Sequence, residues 1–211
     1  MTIMTNQKRH WEKIYSNGQP HEVGWYEPHL LTSLAWIRDL SLPKDARIID
    51  VGGGASTLVD DLLAEGYQRI AVLDLSRAAL AAVKTRLGRD ADRVMWLEGD
   101  ITSIELPARH FDLWHDRALL HFLVEPESRK KYVDSLRTAL KPGGRAIIAT
   151  FSPQAPPCCS GLPVERYTMQ AMQNLLGGGF TLERHHEELH ITPGGTEQMY
   201  LYCQIRRDVN N

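Results

Sequence analysis

Past residue 45 the chain alternates between short apolar runs and longer stretches with apolar residues at helical spacing. The short runs are 46–51 (ARIIDV), 69–74 (RIAVLD), 93–97 (RVMWL), 111–115 (FDLWH) and 144–151 (GRAIIATF). Runs this short, apolar at almost every position, predict strands buried on both faces. Between them, Ser56 precedes a helix over 57–65 that puts Leu58, Leu62 and Leu63 on one face. Ser76 is a good N-cap for a helix over 77–87. Residues 126–140 place Tyr132, Val133, Leu136 and Leu140 on one stripe, and KPGG stops that helix. The rhythm predicts an α/β fold, a parallel sheet with helices on both faces. The last part of the chain reads differently. Residues 180–190 (FTLERHHEELH) and 197–205 (EQMYLYCQI) are strands separated by ITPGGT, a reversal that predicts an antiparallel hairpin. Its histidines His185, His186 and His190 are strand residues, and alternation sends His185 and His190 to opposite faces. Residues 1–44, with Trp11, Tyr15, Trp25, Tyr26 and Trp36, read as one or two helices over the sheet's C-terminal edge. The expected organisation is a single domain: a helical lid (1–44), a cofactor-binding core (45–152), then a substrate loop and hairpin (153–211).

Composition narrows the function classes. With 211 residues, 43% of them hydrophobic, the chain can bury a sizeable core, and a net charge of -2 gives no electrostatic reason to expect nucleic acid. The opening MTIMTNQKRH lacks an apolar h-region, which predicts no secretory leader. No run approaches the ~18 apolar residues of a membrane span. Three cysteines, two of them the adjacent Cys158 and Cys159, do not make a disulfide framework, so a reducing, cytoplasmic location is expected. Adjacent cysteines are poor chelators and Cys203 lies in a strand, so no metal site is expected.

The chemistry starts at IIDVGGGAST, residues 48–57. In an open parallel sheet, ligands bind at the carboxyl ends of the strands. A glycine turn there lets a ligand touch backbone, because no Cβ intervenes. Gly52 and Gly54 match the first two glycines of the dinucleotide fingerprint, but Thr57 stands at the third. Asp50, two residues before the loop, suits a ligand with a positive amino group better than one with phosphates. Asp74 ends the second strand, twenty residues beyond Gly54, where an acid accepts from ribose hydroxyls. Asp100, in EGDI after the third strand, can accept from an exocyclic amine, with Ile101 against the ring. Three acids at three successive strand ends are a joint signal that no one of them carries alone.

With IIDVGGGAS, VLDLS, LEGDI, FDLWHDRALLHFL and LKPGGRAIIATF in this order, the chain resembles the class I, seven-stranded S-adenosylmethionine-dependent methyltransferases. The resemblance covers roughly residues 45–152, and the closing hairpin extends it. It implies a Rossmann-like doubly wound sheet of order 3-2-1-4-5-7-6 with the last strand antiparallel. It implies S-adenosyl-L-methionine as cofactor and S-adenosyl-L-homocysteine as product. It implies that Asp50, Gly52, Gly53 and Gly54 line the methionine part, that Asp74 holds the ribose with Leu75 beside the adenine, and that Asp100 and Ile101 hold the adenine. His115 to Arg117 would border both cofactor and substrate. The segment HWEKIYSNGQPHEVGWYEP resembles the W-x-x-x-Y opening of a subset that includes small eukaryotic protein-lysine methyltransferases, which implies that Trp11, Tyr15 and Tyr26 cover the cofactor. Aromatic faces favour a sulfonium cation.

Beyond the cofactor, the candidates are fewer. His115, Asp116 and His121 are nearest in sequence for a general base, needed only if the acceptor starts protonated. Arg117 suits the cofactor carboxylate or an anionic substrate. The proline-rich 153–168 (PQAPPCCSGLPVERYT) reads as a specificity loop, with Arg166 and Tyr167 as substrate contacts. HDRALLHF departs from the signatures of lysine and amide methyltransferases after the fourth strand, so it transfers neither target. The acceptor is a small molecule or a protein side chain, and the oligomeric state is open. The competing classes are a non-catalytic S-adenosylmethionine-binding regulatory module and, against Thr57, an NAD-linked oxidoreductase.

Overall fold

The structure is a computed structural model that describes residues 2–17 and 23–209, with side chains for 6–16 and 23–209. Residues 18–22 of the aromatic opening segment lie outside the described residues. Helices α1 (Thr2–Asn17) and α2 (Leu31–Asp39) come first. The alternating part runs β1 (Arg47–Val51), α3 (Leu58–Ala64), β2 (Arg69–Asp74), α4 (Arg77–Leu87), β3 (Val94–Glu98), β4 (Phe111–Arg117), α5 (Pro126–Ala139) and β5 (Leu140–Phe151). A two-residue ladder, β6 (Cys158–Cys159) with β7 (Leu162–Pro163), interrupts the segment read as plain loop. Then follow α6 (Met169–Leu176), β8 (Phe180–Ile191) and β9 (Glu197–Arg207).

The seven long strands form one sheet in the order β3-β2-β1-β4-β5-β9-β8. Pairing is parallel through β5, and β9 is antiparallel to both β5 and β8. Counting only these strands, this is the order 3-2-1-4-5-7-6. Strand alternation splits the core into two layers. Ile48, Leu113 and Ile147 face α2, α3 and α4, meeting Ile37, Leu58, Leu62 and Leu80. Their neighbours Ile49, Trp114 and Ile148 face α5 and α6, meeting Tyr132, Leu136 and Met172. A sheet covered on both faces explains why its strands are apolar at nearly every position. One expectation shifts: KPGG lies inside β5 rather than between elements, and the helix before it ends at Ala139.

Candidate functional site

The parallel register brings the ends of β1, β2, β3 and β4 to one edge, and with them Asp50, Asp74, Asp100 and Arg117. After Val51 the chain turns through Gly52 (φ +72°) and Gly54 (φ +52°), left-handed conformations that side chains rarely adopt. The turn is also packed from outside. A Cβ at Gly52 would stand 2.6 Å from the Leu119 Cβ, and one at Gly53 2.7 Å from the Asp50 Oδ2. A Cβ at Gly54 would stand 2.5 Å from the Tyr15 hydroxyl. Gly54 N–H donates to Asp74 Oδ2 (2.8 Å) and Ser76 N–H to Asp74 Oδ1 (2.7 Å). The acid therefore fixes the glycine loop to the start of α4, which Ser76 caps through Ala79 N–H. Asp74 is buried, and burial outweighs these two bonds, pushing its carboxyl up to about 6. Asp100 Oδ1 accepts from the Thr102 N–H (2.7 Å) and hydroxyl (2.6 Å), closing the turn after β3. Asp74, Leu75, Asp100 and Ile101 line a cleft of about 720 Å³ whose far wall is Leu119, Phe122 and Leu123.

The roof comes from distant sequence. On α1, Trp11 packs edge-on against Trp25 (5.5 Å between centroids) and Phe122 (4.9 Å), and Tyr15 against Trp25 (6.1 Å). Burial raises the Tyr15 phenol far above its ordinary value, with the Asp74 charge adding to it, so it stays a neutral hydroxyl. Glu12 docks the helix: its carboxylate accepts from Arg77 N–H (2.7 Å) and Ala78 N–H (3.1 Å) at the positive end of α4. Lys8 pairs with Glu98 at 2.6 Å. Tyr26 lines an adjoining cleft of about 450 Å³ with Asp50, Gly53 and His115, while its neighbour Trp25 lines both. His190 pins this segment from β8. Its Nδ1 faces Glu27 Oε1 (2.6 Å) and its Nε2 faces the Gly24 carbonyl (2.7 Å).

At the end of β4 the polar side chains are nearly all engaged. His115 Nδ1 is hydrogen-bonded to Asp50 Oδ1 (2.7 Å) and His115 Nε2 to the Ser33 hydroxyl (2.9 Å); all three residues are buried. Asp116 accepts from the Tyr132 hydroxyl (2.6 Å) and from Leu119 and Leu120 N–H, holding the turn at 120–122. Burial pushes its carboxyl up to about 6. Ala118, at φ +76°, takes a strained conformation at the cleft wall, as residues at functional sites often do. Arg117 borders both clefts, donating from Nε to the Tyr202 hydroxyl (3.1 Å) and from Nη1 to the Trp25 carbonyl (2.8 Å). Its guanidinium lies 4.6 Å over the Tyr200 ring. His121 is buried, with Nδ1 accepting from Phe151 N–H (3.2 Å). Burial, then the Arg117 charge, brings its pKa down to about 3.

Other sequence candidates lie elsewhere. Arg166 donates to the Pro153 and Ala155 carbonyls (3.1 Å each), bracing its own loop. Tyr167 is buried in the α5–α6 layer, on the opposite face of the sheet from Trp11 and Tyr15. Cys158 is exposed and Cys159 buried. Among the described residues no group of His, Cys, Asp and Glu could hold a metal ion, and no helix is long and apolar enough to cross a membrane. Sequence reasoning missed Trp25, Phe122, Tyr200 and the Glu27–His190 pin. For Trp25 the signal was there, beside Tyr26; for the others no local pattern marked them.

A seven-stranded sheet of this order with a glycine loop between β1 and α3 defines a class of protein. The fold is that of solved S-adenosylmethionine-dependent methyltransferases, and a methyltransferase-domain family model matches residues 48–144, a little under half of the chain. Among characterised relatives, the eEF1A lysine and N-terminal methyltransferase of Bos taurus is 27% identical over 149 residues. That match covers 68% of this chain, and the chain spans about a fifth (21%) of the bovine protein. Demethylmenaquinone methyltransferase of Clavibacter sepedonicus is 35% identical over 122 residues, 58% of this chain and 48% of that protein. Among solved structures, 1,6-didemethyltoxoflavin-N1-methyltransferase of Burkholderia thailandensis, with S-adenosylhomocysteine bound, superposes with TM-score 0.70 at 19% identity, covering 98% of this chain and 87% of that one. A structure from work on conversion of a disulfide bond into a thioacetal group in echinomycin biosynthesis gives TM-score 0.75 at 18% identity, covering 100% and 93%.

Proposed function

We propose that this chain is an enzyme that transfers a methyl group from S-adenosylmethionine to a small-molecule or protein side-chain acceptor. One observation carries the reading: a loop that rejects a Cβ at Gly52, Gly53 and Gly54 opens on the cleft that holds Asp74 and Asp100. The residues fit the cofactor. Asp74 and Asp100 supply acceptors for ribose hydroxyls and the adenine amine, with Leu75 and Ile101 as apolar walls. Asp50, held by His115, and the glycine loop face the adjoining cleft, suited to the methionine end. Trp11, Tyr15 and Trp25, with Tyr26 beside them, supply the aromatic cover that favours a sulfonium.

S-adenosylmethionine supplies an activated methyl, leaving the protein to orient and desolvate the acceptor. His115 and Asp116 do not serve as bases in this reading. Both nitrogens of His115 are bonded, and Asp116 accepts three hydrogen bonds on the far side of the turn. The acceptor atom then reaches the cleft already unprotonated, or gives its proton to solvent. Calorimetry tests the cofactor: S-adenosylhomocysteine should bind at micromolar affinity and NAD should not. Labelled S-adenosylmethionine offered with cell extract tests the reaction. Binding without any labelled product in the protein or small-molecule fraction would instead favour a regulatory module.

A further inference from the structure

Some of the buried polar atoms left without partners lie on one side of the site. Among the described residues they include Arg117 Nη2, His121 Nε2 and the Tyr200 hydroxyl. These three belong together in space. The Arg117 guanidinium lies over the Tyr200 ring, and the His121 ring stands 6.3 Å from the same ring. They are also on the side of β4 away from the glycine loop, because β4 is followed by β5 and then by β9, which carries Tyr200. Unpaired groups at such burial are costly and call for an explanation.

Their chemistry has one sign. Nδ1 of His121 accepts a backbone N–H and the ring is neutral, so the proton sits on Nε2. His121 is thus a hydrogen-bond donor with nothing to donate to, and its one ring lone pair is taken by the Phe151 N–H. Arg117 Nη2 is a second unused donor, and the Tyr200 hydroxyl can be a third. Arg117 is 9% exposed, yet the bonded partners of its guanidinium are a phenol and a carbonyl. Glu27 is near enough to be felt by Arg117, but its carboxylate is bonded to His190. A buried cation without a bonded carboxylate attracts an anion and repels a cation.

We propose that Arg117 and His121 form a donor seat for the negative group of the methyl acceptor, making the substrate a small carboxylate rather than a lysine side chain. This rests on the methyltransferase reading above. Arg117 then serves acceptor choice rather than the cofactor's methionine end, and Trp25, whose carbonyl it holds, covers the seat. A flat apolar carboxylate suits the aromatic walls formed by Trp11, Trp25 and Phe122.

The test uses the full chain saturated with S-adenosylhomocysteine, in thermal shift titrations with sodium benzoate and with butylamine at matched ionic strength. Benzoate should raise the melting temperature saturably, and butylamine should not. Arg117→Gln should weaken the benzoate effect by about tenfold or more, with a clearly smaller loss of S-adenosylhomocysteine affinity. Arg117→Lys should keep part of the effect, and serves as the folded control if the glutamine variant is unstable. His121→Phe should weaken benzoate by a few-fold. No saturable benzoate shift, or a larger one from butylamine, would overturn the proposal and leave the methyltransferase reading intact. A tenfold loss of S-adenosylhomocysteine affinity in Arg117→Gln would also overturn it, assigning the arginine to the cofactor. If wild type fails to bind S-adenosylhomocysteine at all, the methyltransferase reading itself has failed and the seat falls with it.

Discussion

The two halves of this sheet edge are built by different means. At the ends of β1, β2 and β3 the site consists of tight turns and short-range bonds, in which the chain's own backbone meets Asp74, Asp100 and the glycine loop. At the end of β4 and the facing start of β9 it consists of large side chains from distant sequence, Trp25, His121, Tyr200 and Tyr202, packed around one arginine. The first half could serve any chemistry that uses the same cofactor. The second half has no such generality, because its shape depends on long-range packing particular to this chain.

Breaking the first half should have the largest effect. Gly52→Val places a branched side chain where Leu119 already sits and asks for φ +72° from a residue that resists it. Strain and overpacking together cost about 2–5 kcal/mol. Calorimetry should detect no S-adenosylhomocysteine binding in this variant. Affinity within a few-fold of wild type would mean that the loop is not the cradle. Next in size is Asp74→Ala, which removes a charged acceptor and two backbone anchors, and should weaken binding by about 1–3 kcal/mol. Unchanged affinity in the folded variant would move the ribose site elsewhere.

The same contrast explains what was legible in the sequence. IIDVGGGAS, VLDLS and EGDI state the first half in contiguous residues, because backbone geometry at a strand end needs particular residue types at fixed offsets. The strand order and the closing hairpin follow from apolar runs and one Pro-Gly-Gly turn. The second half is not local. Nothing near His190 signals that it meets Glu27 across 163 positions, or near Tyr200 that Arg117 will lie on its ring. Asp116 and Tyr167 looked like site residues because they flank the right motifs. Strand alternation and the turn after β4 send them into the α5–α6 layer instead.

A smaller effect sharpens the comparison through pH. Asp74 titrates near 6 in the folded protein against an ordinary 3.8. Its raised value means that the folded state holds this proton longer than the unfolded chain does. Stability contributed by Asp74, and likewise by Asp116, therefore falls as pH rises from about 3.8 to about 6 and then levels off. Cofactor affinity runs the other way, because the ionised carboxylate is the better acceptor. The dissociation constant for S-adenosylhomocysteine should rise as pH is lowered from 7.5 towards 5. In Asp74→Asn the profile should be flat. A wild-type profile as flat as the variant's would remove Asp74 as the titrating contact.

The smallest expected effect tests how the roof is attached. Helix α1 touches the floor through an aromatic cluster and through Glu12, whose carboxylate takes two N–H groups at the start of α4. That helix is capped by Ser76, bonded to Asp74, so the anchor of α1 and the Asp74 carboxylate share one turn. A carboxylate at a helix N-terminus stabilises by about 0.3–1 kcal/mol at a surface site. Glu12→Ala should therefore leave the fold intact, speed amide exchange over 6–16, and raise the S-adenosylhomocysteine off-rate by about two- to fivefold. Adding S-adenosylhomocysteine to the wild type should slow exchange around Trp11, Tyr15 and Tyr26. If protection there is the same with and without ligand, and Glu12→Ala changes stability but not the off-rate, α1 is permanent core rather than a cover. The aromatic residues would then stabilise the first half of the site without gating it.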